Sequence, residues 1–108
     1  MALRPVEFHV LLALAAEERH GYGILQEVAA ITDGDLQLEP GTLYRALHRM
    51  LEGGWVVESA RRPAADLDDE RRRYYRLTPA GRRVAAAEAE RLSRLVTIAR
   101  ANRLLSRA

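Results

Sequence analysis

The chain contains no cysteine and no lysine, and only six of its 108 residues are aromatic. Without cysteine there are no disulfides, no thiolate chemistry and no cysteine-ligated zinc. So few aromatic rings leave a lone small domain short of core volume, which favours oligomerisation as a further source of burial. No apolar run approaches the length of a membrane span, and Arg4 and Glu7 interrupt any signal-peptide pattern at the start. A soluble cytoplasmic protein is the expectation. A phosphate-cradling glycine loop is also missing. His9, His20 and His48 lack metal-ligand spacing, and Ser59, Ser93 and Ser106 have no base near them in any motif. Asp66, Asp68, Asp69 and Glu70 form an acidic run without the glycine and spacing of a calcium loop. No enzyme activity, cofactor or metal site is expected.

What is present is an uneven distribution of charge. The formal net charge is only +2. Residues 1–39 carry two arginines against seven carboxylates, a net of −5, whereas residues 40–108 carry fifteen arginines against eight carboxylates, a net of +7. Such asymmetry suits a chain in which one part packs and another meets a polyanion. All 17 basic residues are arginine. Arginine suits two-pronged contacts to phosphate and guanine, although an arginine-rich codon usage explains most of the missing lysine.

The periodicity predicts a mainly α-helical chain with a small β-wing. Residues 4–16 read as a helix that is apolar nearly all round, through Val6, Phe8, Val10, Leu11, Leu12 and Leu14. A helix apolar on every side is usually buried on every side, which hints at a partner subunit over one flank. After a polar break at 17–21, residues 21–31 form a second helix with a stripe of Ile24, Leu25, Val28 and Ile31. Thr32-Asp33-Gly34-Asp35 is a turn signal, and Leu36-Gln37-Leu38 alternates as a very short strand would. Pro40 opens a third helix and Gly53-Gly54 closes it. Residues 55–60 and 72–77 are the strands of a hairpin with a long exposed tip at 61–70. Thr78-Pro79 starts a last helix running to about Leu104, with Thr78 as its N-cap.

Helix, helix, short strand, helix, hairpin is the order of a winged helix-turn-helix, here over residues 1–78. Residues 79–108 add a C-terminal helix with a stripe of Ala85, Ala89, Leu92, Val96 and Ala99 and Leu95 beside it. The two parts are expected to form one compact unit. At about 100° per residue, Leu43, Leu47, Met50 and Leu51 fall on one side of the third helix. Thr42, Arg45 and Arg49 fall on the other, with Tyr44 and His48 on a flank. An apolar back and a front of two arginines is what a groove-reading helix needs, although an ordinary surface helix carries arginine on its exposed face too. Arg71-Arg72-Arg73 lies beside Tyr74-Tyr75-Arg76 in the returning strand, and a basic strand next to a basic helix can straddle a DNA backbone. The acidic tip at 66–70 would repel phosphate, so it is expected to point away from DNA or to pair with the arginine run.

At these residues the chain resembles the PadR family of winged-helix regulators. The resemblance is carried by residues 11–15 followed by His20-Gly21-Tyr22-Gly23-Ile24, by Pro40-Gly41-Thr42-Leu43-Tyr44-Arg45-Ala46-Leu47, and by Arg73-Tyr74-Tyr75-Arg76-Leu77-Thr78. It implies a homodimeric DNA-binding regulator, commonly a repressor released by a small-molecule or other signal. Double-stranded operator DNA and a second copy of the chain are the implied partners. By position, Tyr22, Thr42, Tyr44, Arg45, His48 and Arg49 would lie at or near DNA, with Arg72 and Arg73 in the wing. The last helix would cross to the partner subunit, with Phe8, Leu12, Leu92, Leu95, Val96 and Ala99 at the dimer contact. The chain resembles the short subgroup with a single terminal helix. Some short members hold flat aromatic compounds with a tryptophan on that helix, but residues 79–108 contain no aromatic here. Phe8, Leu12, Leu92 and Val96 either line a site for a small apolar effector or simply form the dimer core. The rival function is a winged-helix protein-interaction module, which would show apolar or aromatic residues in place of an outward Arg45 and Arg49.

Overall fold

The computed structural model describes residues 3–59 and 73–106. Helix α1 spans Pro5–Ala16 and is followed by strand β1, Arg19–His20, and helix α2, Gly21–Ile31. Helix α3 spans Pro40–Glu52, strands β2 and β3 span Val56–Glu58 and Tyr74–Leu77, and helix α4 spans Pro79–Ala101. Prolines at the first turns of α1, α3 and α4 start these helices where a missing N–H costs nothing.

The three strands form one antiparallel sheet in the order β1-β3-β2. Here the structure corrects an expectation. The short strand beside the hairpin is not Leu36–Leu38 but Arg19–His20, which pairs with Tyr75 and Tyr74. Leu36 and Leu38 pack on the core from irregular backbone instead. The turn before them is closed locally. Thr32 Oγ1 donates to the Val28 carbonyl at 2.9 Å and accepts from the Leu36 N–H at 3.0 Å. Asp33 and Gly34 adopt positive φ, 52° and 82°, so the chain leaves α2 in a left-handed turn that glycine tolerates best. The 61–70 tip, with its acidic run, and Arg71 and Arg72 lie outside the described residues.

The core gathers one face from each element. Val10, Leu11 and Leu14 of α1 meet Ile24 and Val28 of α2 and Leu43, Leu47 and Met50 of α3, closed by Val56 and Tyr75 from the sheet. Full burial of each aliphatic side chain contributes on the order of 1.5–3 kcal/mol. The C-terminal end of α1 is held by two arginines: Arg19 Nε donates to the Ala13 carbonyl at 2.8 Å and an Arg82 Nη2 to Ala15 at 3.2 Å. Both satisfy carbonyls left over at the helix end and place positive charge at the negative pole of its dipole.

One close approach joins the wing to α4. Thr78 caps α4 by accepting from the Gly81 N–H at 3.0 Å, and its hydroxyl donates to the Gly54 carbonyl at 2.6 Å. The Thr78 N–H donates to the Trp55 carbonyl at 3.1 Å. A Cβ on Gly81 would stand 1.9 Å from that same Trp55 oxygen. From this joint α4 extends about 34 Å over its 23 residues, its first turns against α1 and its distal half largely exposed. The radius of gyration is accordingly 15.4 Å, against about 13 Å for a compact chain of about 100 residues.

Gly81→Ala is therefore expected to cost more than about 2 kcal/mol, because backbone has to move rather than a flexible side-chain end. Thermal melts at matched protein concentration should show a Tm at least about 8 °C lower. An unchanged Tm would mean that the α4–wing joint is looser than its geometry.

Candidate nucleic-acid interface

The front of α3 is built by the core behind it. Leu43, Leu47 and Met50 are fully buried, so Thr42, Arg45 and His48 face away from the core at the positions between them. Arg45 and His48 are exposed, and an Arg45 Nη2 donates to Thr42 Oγ1 at 3.3 Å, one turn back along the helix. Tyr44 sits on the flank, half-buried against the core. Next to this face lies a cleft of about 210 Å³ lined by Arg4, Val6, Glu7, Thr42, Arg45 and Ala46. Its rim carries two exposed arginines, Arg4 and Arg45.

Arg49 differs from the outward residue expected of it. Its Nε donates to Glu7 Oε2 at 2.6 Å, and an Nη2 lies 3.4 Å from Oε1. The Glu7 side chain is 1% exposed and that of Arg49 23%. Helical phase does place Arg49 near the front, but a buried carboxylate on α1 draws the guanidinium inward. An isolated buried carboxylate is too costly to keep, so the position demands a cation. Glu7 also accepts from the Arg4 N–H at 2.8 Å, filling an orphan donor at the start of α1. Sequence reasoning did not single out Glu7 for this role. The available signals were its isolation in an otherwise apolar helix and its place three residues into the first turn.

His20 was likewise assigned no structural role in advance. Its Nδ1 accepts from the Gly23 N–H at 2.8 Å and so caps α2. The ring stacks on Tyr22, 6.5 Å away with planes 25° apart, and meets Tyr74 edge-on at 5.3 Å. Tyr22 is thereby presented to solvent at the start of α2, with 56% of its surface exposed. The His-Gly-Tyr-Gly segment thus combines a helix cap with an exposed ring.

In the wing, Tyr75 is buried, Tyr74 half-buried and Arg76 exposed, as alternation along a strand requires. Arg73 is exposed and lies 4.0 Å from Glu58 across the hairpin stem. On α4, Arg91 donates both prongs to Glu88 at 2.7 and 2.8 Å, and these hydrogen bonds hold the Glu88 carboxyl below its usual range. The residues expected at a dimer contact lie along α1 and the distal half of α4. Phe8, Leu92 and Ala99 are half-buried, while Leu12, Leu95 and Val96 are 41%, 49% and 36% exposed.

Three helices followed by a short sheet with a hairpin, and an outward Arg45 on the third helix, are the architecture of a winged helix. The family model described as "Transcriptional regulator PadR-like family" matches residues 10–87, and the chain belongs to that family. Transcriptional regulator Rv3488 of Mycobacterium tuberculosis is 36% identical over 90 residues, covering 83% of this chain and 78% of that protein. Among solved structures, a transcriptional regulator from Clostridium thermocellum matches with a TM-score of 0.70 at 25% identity, covering 94% of this chain and 90% of that one. A PadR family regulator from Clostridium difficile matches at TM-score 0.71 and 20% identity, over 94% of this chain and 98% of that one. Bacillus subtilis PadR, solved in complex with operator DNA, matches at TM-score 0.67 and 16% identity over 80% of this chain and 47% of its own. The family is one of transcription regulators, not enzymes.

The two arginines of α3 should separate in a stability measurement. Arg49→Ala leaves the buried Glu7 without its cation and is expected to cost about 3 kcal/mol. Arg45→Ala, at an exposed site, should stay within about 0.5 kcal/mol of wild type. Equal urea midpoints for the two variants would contradict the Glu7–Arg49 geometry.

Proposed function

We propose that the chain acts as a homodimer that binds operator DNA through α3 and the stem of the wing, and that it represses transcription until a signal releases it. The observation that carries this is the exposed front of α3, where Thr42, Arg45 and His48 stand between an apolar back and an arginine-rimmed cleft. In a helix laid in the major groove, Arg45 is placed to donate twice to O6 and N7 of a guanine, worth about 1–3 kcal/mol of discrimination. Exposed Tyr22, at the capped start of α2, and exposed Arg73, at the foot of β3, suit backbone contacts, with Arg72 beside Arg73 in sequence. Support from relatives is direct in one case, since Bacillus subtilis PadR, similar in fold, was solved with operator DNA. The rival role of a protein-docking helix is disfavoured, because the middle of this face offers no apolar or aromatic anchor.

Homodimerisation is supported by what one copy leaves uncovered. Leu12 on α1 and Leu95, Val96 and Ile98 on α4 are exposed together with half-buried Phe8, Leu92 and Ala99. Apolar surface of this extent on two helices suits an isologous contact with a second copy. In such a dimer residues 1–78 serve as the DNA-binding part and 79–108 as the dimerisation helix. A small apolar effector would sit among Phe8, Leu12, Leu92 and Val96, where it would alter the contact between copies.

Binding to the DNA upstream of the protein's own gene tests the reading. Arg45→Ala is expected to weaken operator binding about tenfold or more, and the site should be an inverted repeat with half-sites about 34–36 Å apart or a multiple of it. Equal affinity of the variant and wild type would remove Arg45 from the interface. Leu95→Asp with Val96→Asp should give monomers by light scattering, because two charges would then be buried at the contact. A persistent dimer would place the interface elsewhere.

A further inference from the structure

We propose that Glu7 and Arg49 are positioning residues for α3: Arg49 does not read DNA but fixes the roll of the helix that does. The inference rests on the DNA-binding reading above and deepens it. Apolar packing of Leu43, Leu47 and Met50 decides which face of α3 is buried, and a directional contact adds a finer constraint on its rotation about the helix axis. The Glu7–Arg49 contact is directional. It joins the N-terminal turn of α1 to the last turn of α3 across 42 residues of sequence, through a 2.6 Å hydrogen bond and a second prong at 3.4 Å. Glu7 is itself fixed by the Arg4 N–H at 2.8 Å and is 1% exposed, so it has little freedom to follow a moving partner.

Helical geometry passes this constraint to the front of α3. At about 100° per residue, Arg45 lies about 40° and Thr42 about 20° from Arg49 around the axis. Holding Arg49 therefore sets the direction in which both front residues point. The same contact has an electrostatic effect. Glu7 lines the cleft whose rim carries Arg4 and Arg45, and an uncompensated carboxylate there would oppose an approaching phosphate. Arg49 cancels that charge from within the protein.

The test compares Glu7→Gln and Arg49→Lys with wild type on two fragments: the DNA upstream of the chain's own gene and a scrambled fragment of equal length, each over a range of salt. Glu7→Gln keeps an acceptor for the Arg4 N–H and removes the charge. Arg49→Lys keeps the charge and loses the two-pronged fork. Each variant is expected to lose about tenfold in the ratio of operator to scrambled affinity, with the salt slope unchanged. Partial unfolding would lower binding to both fragments alike and leave that ratio intact, so a purely structural role predicts no change in it. If Arg49 instead contacts phosphate, Glu7→Gln releases it, both fragments bind more tightly and the slope steepens by about one. That result, or an unchanged ratio in either variant, overturns the inference while leaving the DNA-binding reading intact. Failure of wild type to prefer the upstream fragment would overturn both.

Discussion

The buried carboxylate of Glu7 is the constraint around which the N-terminal half of this fold is arranged. A carboxylate at 1% exposure needs several hydrogen bonds and a cation. It obtains one donor from the backbone at the start of α1 and the others from Arg49 on α3. Elsewhere those two helices share the aliphatic core through Val10, Leu11 and Leu14 on one side and Leu43, Leu47 and Met50 on the other. Replacing such a pair with matched apolar residues is often neutral or stabilising, so the contact is better understood as specifying an orientation than as adding stability. Removing one partner alone is another matter, because the remaining charge has nowhere to go.

Two sets of arginines stand out among the described residues. Arg19, Arg49, Arg82 and Arg91 are tied to carbonyls or carboxylates of their own chain. Arg4 and Arg45 stand exposed at the rim of the cleft beside α3. Arginine is suited to both tasks, since the same planar fork satisfies a helix end, a buried carboxylate or a base edge. The modest net charge of +2 therefore does not describe how the arginines are distributed between internal contacts and the cleft rim.

Much of the fold was legible because its signals are local. Proline in the first turns of α3 and α4, and glycine after α3, mark ends that coincide with those observed. Thr78 was legible as a cap for the same reason. Strand β1 was not. Arg19 and His20 are poor strand formers, and the two-residue strand exists only because β3 offers them an edge. The alternating Leu36-Gln37-Leu38 looked better and has no such edge to join. At the candidate site, the apolar back of α3 and an outward Arg45 were legible from phase alone, whereas His48, read as a flank residue beside Tyr44, is exposed while Tyr44 is half-buried. The inward turn of Arg49 was not, because periodicity reports where a side chain starts and not which distant group it reaches. The cap made by His20 was hidden for a related reason: the usual capping residues are short, and here a ring nitrogen does the work.

The joint at Gly81 has a mechanical meaning. With the Trp55 carbonyl against the α4 backbone, and Thr78 bonded to both Gly54 and Trp55, the root of α4 is clamped to the chain just beyond α3. There is no slack segment between the arm and the block it is mounted on. The same first turns of α4 are held on α1 through Arg82 and on the core through Ala85, so the helix is fastened on two sides at its root. Whatever pulls on the far end of α4 therefore loads α1 and the base of the wing together, because both grip the same stretch of helix.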